Sequence, residues 1–333
     1  MDEKQFNYFT KAYVVGERIP FNIFRCEHLD QGIFGTMKAM TIFHVGWRSD
    51  NGTAMAFHTA CAHILRHILG CTEKTDAAVT TLVEVEKVLG RPTAEPDEGR
   101  LPHVRYEEAS PENVRVQGYK FLDDDFMRLD WVRFKADGFA WTYAKPDTFP
   151  RFHRAVKPSR FPKGEAIPPS DLLVDVVRVL LPYLSDKSFV TLLGTCRSFR
   201  RHALTTFQAA ARQRVLALDW AVPLLREYTN APQATRDAGV MLDPEHIPSA
   251  EEGDWHLYLC HVHRSQSMRA RHWIWATAQE IRRAYLERRA GGPFDDIVVG
   301  EGADRRIEPS AARQSLEQSI RGNPTRILVE PDW

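Results

Sequence analysis

Two clusters of histidine and cysteine hold the side chains best suited to chemistry in this chain. In the first, His58, Cys61, His63, His67 and Cys71 fall close together, with Cys26 and His28 upstream. His58 with Cys61 stand three apart and His63 with His67 four apart, so on a helix either pair presents two metal donors on one face. The Cys-x-x-Cys knuckle of a structural zinc site is missing. The plainer reading makes Cys61 a small buried hydrophobe and the histidines edge-of-core residues. The second cluster is Cys260-His261-Val262-His263. On a strand, His261 and His263 share a face and chelate; on a helix they diverge.

Other chemistry is thinly represented. Asp123-Asp124-Asp125 reads as a solvated turn, and Trp131, Trp141, Trp255, Trp273 and Trp275 read as core aromatics before they read as a pocket lining. No phosphate loop, dinucleotide glycine fingerprint, nucleophile elbow or kinase signature occurs. We therefore assign no catalytic residue and expect no cofactor.

The elements that must position these residues form an α+β chain. Its 333 residues are 43% hydrophobic and 26% charged, which suits a globular protein with a real core. Lys plus Arg and Asp plus Glu both number 44, so no global basic field draws nucleic acid or an anionic membrane. No apolar run approaches a membrane span or a signal-peptide core, and five scattered cysteines suit reduced thiols. These features place the expectation on the cytosolic or nuclear side, with neither a membrane nor a nucleic acid as partner.

In chain order, Met40–Val45 predicts a strand and Asp50–Thr53 the turn after it. Ala54–Gly70 predicts an amphipathic helix closed by a glycine cap, and Thr80–Leu89 a second helix. Residues 131–143, with Asp137-Gly138 at their centre, predict a hairpin. Prolines crowd residues 146–169, the profile of a linker. Helices are expected over 204–228 and 271–287, a loop-rich excursion over 229–253, and short strands at Ile297–Val299 and Arg326–Val329 around a helical patch at 311–320. The division expected is an N-terminal α+β domain over 1–145, a linker over 146–166, a helical unit over 167–207 and a mainly helical region over 208–333.

That central unit is the most informative stretch. Pro168, Pro169 and Ser170 make a helix start. Leu172, Leu173, Val176, Val177 and Leu180 recur at helical spacing, Pro182 stops the helix, and Ser185 or Asp186 caps the next. Phe189, Leu192, Leu193 and Cys196 form its stripe, with Arg197, Arg200 and Arg201 at the far end.

The same stretch resembles a known family. Leu180-Leu181-Pro182-Tyr183-Leu184-Ser185, then Phe189 and Leu192, then Thr195-Cys196-Arg197-Ser198-Phe199-Arg200 follow, in order and spacing, the Ile-Leu-x-Tyr-Leu-Ser, Leu-x-x-Leu and Val-Cys-Arg-x-Trp/Phe-Arg pattern of the F-box. The front departs from it: the family's Leu-Pro-x-Glu-Leu-Leu sits about one helical turn closer to the Tyr-Leu pair. Phe57-His58-Thr59-Ala60-Cys61 and Arg271-His272-Trp273-Ile274-Trp275 are similar to elements that flank the box in filamentous-fungal F-box proteins. The resemblance implies a non-catalytic subunit that binds a Skp-family adaptor and, through it, a cullin–RING ubiquitin ligase, while holding an unknown protein substrate. It draws the adaptor contacts from Pro168, Leu172, Val176, Leu180, Leu181, Pro182, Tyr183, Leu184 and Phe189, some of which must instead pack the box internally. Two rivals stand beside it: an enzyme or small-molecule or metal-binding protein that keeps the box as structure, and an interaction scaffold outside any ligase.

Overall fold

A computed structural model describes residues 12–16, 46–49, 52–71, 76–90, 101, 103–109, 141, 144–152 and 171–321. The predicted strand at 40–45, the Asp123–Asp125 turn, the tail at Arg326–Val329, Pro168 and all of the 131–143 hairpin except Trp141 lie outside them.

The elements run β1 (Ala12–Gly16), β2 (Gly46–Ser49), β3 (Gly52–His58), α1 (Thr59–Ile68), α2 (Asp76–Leu89), α3 (Tyr106–Ala109), α4 (Asp171–Leu180), α5 (Asp186–Gly194), α6 (Arg197–Ala203), α7 (Gln208–Leu216), α8 (Leu225–Thr229), α9 (Gln233–Asp237), α10 (Trp255–Val262), α11 (Gln266–Arg289), β4 (Ile297–Val299), β5 (Arg306–Glu308) and α12 (Ala311–Arg321). Tight 3-10 turns join some of them, notably Leu181–Tyr183 and Asp219–Ala221. The described chain is therefore mostly helical, with two small antiparallel sheets ordered β1-β3-β2 and β4-β5. Two compact units result: one from residues 1–145 with 273–333, the other from 146–272.

In the first unit, β3 is central, pairing Tyr13 with Phe57 on one side and Trp47 with Ala54 on the other. This corrects the expected helix over 54–70. Ala54, Met55 and Ala56 favour helix by propensity, yet two flanking strands offer their backbone a full ladder, and that pairing overrides the weak local preference. The helix begins only at Thr59. Its far end is as expected: Gly70 takes φ +74°, and the bonds from Gly70 N to His67 O and from Cys71 N to Arg66 O close a left-handed cap. Ile64, Leu65, Leu82, Val85, Ile281 and Tyr285 are buried. Trp141 meets Trp273 edge to face at 5.4 Å. One buried carboxylate organises three helices here. Glu84 of α2 accepts a 2.5 Å hydrogen bond from the Tyr285 hydroxyl of α11 and pairs with Arg289 of α11 and Arg313 of α12. Burial, then the bond to Glu84, pushes the Tyr285 hydroxyl's pKa well up.

The second unit is built around α10, whose Trp255, Tyr258 and Leu259 are fully buried. Asp254 caps this helix by accepting from Leu257 N at 3.0 Å. Gln208 of α7 serves the same end: its Oε1 accepts from Trp255 N and its Nε2 donates to Asp254. Phe152 stacks edge to face on Trp255 at 4.9 Å. A Cβ at Gly253 would fall 1.8 Å from the Phe152 ring, so only glycine fits that approach. The helix expected over 204–228 is broken, because the 3-10 turn Asp219–Ala221 and Pro223 interrupt it before α8. The 229–253 excursion is tied down by Phe152 N to Val240 O, Arg212 Nε to Pro248 O and Trp255 Nε1 to Ser249 O.

An ion pair lies at the heart of this unit. Arg271 of α11 is fully buried and donates to both carboxylate oxygens of Glu227, at 2.6 and 2.9 Å. The same guanidinium donates to Trp220 O and Pro146 O and lies over the Phe149 ring. Every face of the charge is thereby used.

Two histidines should make the unit sensitive to acid. Burial lowers the pKa of His256 and of His272 below the ordinary 6.5, and His263 adds to the effect at His272. Above that value both the folded and the unfolded chain hold neutral imidazoles, and stability is full. As pH falls below it, the unfolded chain binds protons first and stability drops. His272 stacks on Trp220 with ring centroids 4.5 Å apart. We expect the urea midpoint of His272→Phe, which keeps an aromatic there, to fall less than that of wild type between about pH 7.5 and about pH 5.5. Equal slopes would remove His272 as a cause.

Candidate protein-docking site

The 171–203 stretch forms three successive helices, α4, α5 and α6. The break at Pro182 falls where the sequence puts it, whereas the second expected helix, read through Cys196 to Arg201, is split at Thr195–Cys196 into α5 and α6. Pro182 sits in the first turn of the Leu181–Tyr183 3-10 segment, where its missing amide costs nothing. Ser185, extended at φ −63° and ψ 160°, caps α5 by accepting from Ser188 N at 3.1 Å. Cys196 does the same for α6 through sulfur, accepting from Phe199 N at 3.5 Å. It is exposed, apart from the apolar stripe in which its spacing placed it. A thiol that turns outward to cap the next helix is no longer available to the core.

Helix α4 gathers Asp171, Asp175 and Arg178 on one side and is apolar over the rest, and the parts of that broad apolar face meet different fates. Val174 and Val177 are buried. On the opposite side Val176, Val179 and Leu180 are 47%, 70% and 42% exposed, and the row continues to Tyr183 at 83%. Val176, Val179 and Leu180 are i, i+3 and i+4 on α4, one stripe, and Tyr183 follows it in the adjoining 3-10 turn. Leu181 and Leu184 are half-buried and Pro182 is exposed. The Asp175–Arg178 ion pair at 3.2 Å adds solvent-facing charge to the same helix.

The burial pattern separates two sets the sequence alone left merged. Val176, Leu180, Pro182 and Tyr183 face outward, with Leu181 and Leu184 at the margin. Phe189 is fully buried together with Leu193, so it packs the unit from within. Leu172 lies in α4 with its side chain outside the described set. Val179 was absent from the expected contacts although it is the most exposed valine of the stripe. Its spacing, three after Val176 and four before Tyr183, was available in the sequence.

The turn that presents Tyr183 is held from a distance. Arg214 of α7 donates through Nη2 to Leu181 O at 2.6 Å and Leu184 O at 2.8 Å, and through Nη1 to Asp186 Oδ1 at 2.5 Å. Its guanidinium lies 4.7 Å from the Phe189 ring centre. His263 Nε2 approaches the other Asp186 oxygen at 3.2 Å. No local spacing signal in the sequence connects Asp186 to Arg214 or His263.

The metal candidates do not converge. His58 ends a strand while Cys61 is buried in the following helix, so they are not a pair on one helix face. Cys260, His261 and His263 lie on helical backbone in which His261 is exposed and His263 forms the C-terminal cap facing Asp186. Among the described residues no three His, Cys, Asp or Glu side chains group as a metal site, and no described helix is long and apolar enough to cross a membrane. A scan against family models, a search of curated proteins and a search of solved structures each find no match to this chain, so the reading of this site rests on its own residues.

Proposed function

We propose that the α4 stripe docks a Skp-family adaptor, which makes this chain the substrate-choosing subunit of a cullin–RING ubiquitin ligase in the cytosol or nucleus. The observation that carries the reading is the uncovered row Val176, Val179 and Leu180 on a helix whose other side is buried by Val174 and Val177, continued by Tyr183 in the adjoining 3-10 turn. Large apolar side chains aligned in one exposed stripe mark interaction surfaces more than they mark chance. Leu180 and Tyr183 of the stripe fall in the stretch that resembles the F-box. A tyrosine at its end is the kind of rigid amphipathic anchor on which binding energy concentrates. The chain makes no bonds itself: holding a target beside a charged conjugating enzyme raises its effective concentration.

The test is capture of purified Skp-family adaptor by wild type and by Val179→Asp plus Tyr183→Asp. Both positions are exposed, so the double variant should keep its stability to within about 1 kcal/mol. We expect at least about a tenfold loss of affinity, the cost of losing one strong anchor. Equal capture by a folded variant would overturn the reading. Capture of adaptor without cullin would favour a scaffold outside any ligase.

A further inference from the structure

We infer that Arg214, which lies beyond the box-like stretch, is the positioning residue that sets the docking stripe. This rests on the adaptor reading above and names a part of the site that reading does not include. The chain between α4 and α5 must turn at Pro182, which has no amide hydrogen to donate. The backbone bond at the end of this turn is long, Leu184 N to Leu181 O at 3.4 Å. The two carbonyls that bracket Pro182 and Tyr183 both accept from Arg214 Nη2, at 2.6 and 2.8 Å. One nitrogen thus ties the start of the turn to its end.

The guanidinium is itself aimed by its neighbours. Asp186, in the first turn of α5, takes Nη1 at 2.5 Å, and the Phe189 ring supports one face. Both partners of the ion pair are largely shielded, with side-chain exposures of 18% and 21%, so solvent competes weakly for these bonds. The fixed planar fork of arginine suits three acceptors at set angles, and an ammonium does not reproduce it. Tyr183, 83% exposed, has no packing of its own to hold it. Its direction follows the turn, and the turn follows Arg214. Preorganisation of this kind lowers the ordering cost at binding. The helical unit that docks the adaptor therefore extends through α7.

The experiment compares full-length wild type, Arg214→Met, Arg214→Lys and a core control, Leu242→Val. Backbone hydrogen exchange is read without adaptor, and affinity for purified Skp-family adaptor by calorimetry. Arg214→Met should speed exchange of the Leu184 amide and weaken adaptor binding about tenfold. Arg214→Lys should recover part of both. Leu242→Val should lower the melting temperature while leaving affinity as in wild type; if it weakens adaptor binding as much as Arg214→Met, the effect is general destabilisation and the inference falls. It also falls if wild type binds and Arg214→Met binds equally well, or if exchange at Leu184 is unchanged. Absence of binding by wild type would instead sink the adaptor reading, and any role for Arg214 in docking with it. Should Arg214→Met fail to fold, Arg214→Lys decides: full affinity in that variant overturns the role of the fork, and a partial loss supports it.

Discussion

Replacing Arg271 by methionine should cost about 3–5 kcal/mol of unfolding free energy, the usual result of stripping one partner from a buried ion pair. The cause is less the lost attraction than what stays behind. Glu227 would keep a buried carboxylate whose two oxygens had accepted 2.6 and 2.9 Å bonds from the guanidinium. The carbonyls of Trp220 and Pro146 would lose that donor as well. Burial already pushes the Glu227 pKa up against the pull of Arg271, so without the arginine the acid should fold protonated. Urea unfolding followed by circular dichroism checks the loss. A cycle with Glu227→Leu separates its origins: the double variant should recover a large part of the single variant's deficit. Equal losses in the single and double variants would mean that packing around the arginine stem, not the stranded charge, sets the cost.

Phe189→Ala should be nearly as damaging, with a loss of about 3–5 kcal/mol. The ring is fully buried beside Leu193, faces His256 at 6.2 Å and lies under the Arg214 guanidinium at 4.7 Å. Truncation removes buried apolar area, leaves a cavity and takes away the surface on which that cation rests. Phe189→Leu should lose markedly less, because most of the volume returns. Denaturant midpoints for the pair give the comparison. An alanine variant within about 1 kcal/mol of wild type would show that α5 collapses onto the space.

Local punctuation in this chain was readable before any coordinates. The stop at Pro182, the cap at Ser185 and the positive φ at Gly70 each depend on one residue and its immediate neighbours, and the 311–320 patch is indeed a helix. The start of α1 was not readable, because β3 is held between β2, its neighbour in sequence, and β1, which lies far away in sequence. Nor was the division of α4 into inner and outer sides. Valine and leucine cover all of the helix except the Asp171, Asp175 and Arg178 side, and so broad an apolar face gives no sign of which part will be covered. The tie from Arg214 to Leu181 was beyond reach for a different reason: arginine at an ordinary helix position looks like solvated surface until its acceptors are known.

The division of the chain bears on the order in which a ribosome delivers it. Residues 146–272 are continuous, whereas their companion unit joins 1–145 to 273–333. The helix α2, with Leu82, Val85 and Glu84 destined for burial, leaves the exit tunnel long before Tyr285, Arg289 and Arg313 arrive to meet it. At about 5–20 residues per second that interval lasts on the order of ten seconds. During it the nascent N-terminal part must wait with apolar surface unmatched, while the continuous middle is free to close first. Chaperone demand during synthesis should therefore fall on the first segment, and a stalled chain ending before α11 should aggregate through it.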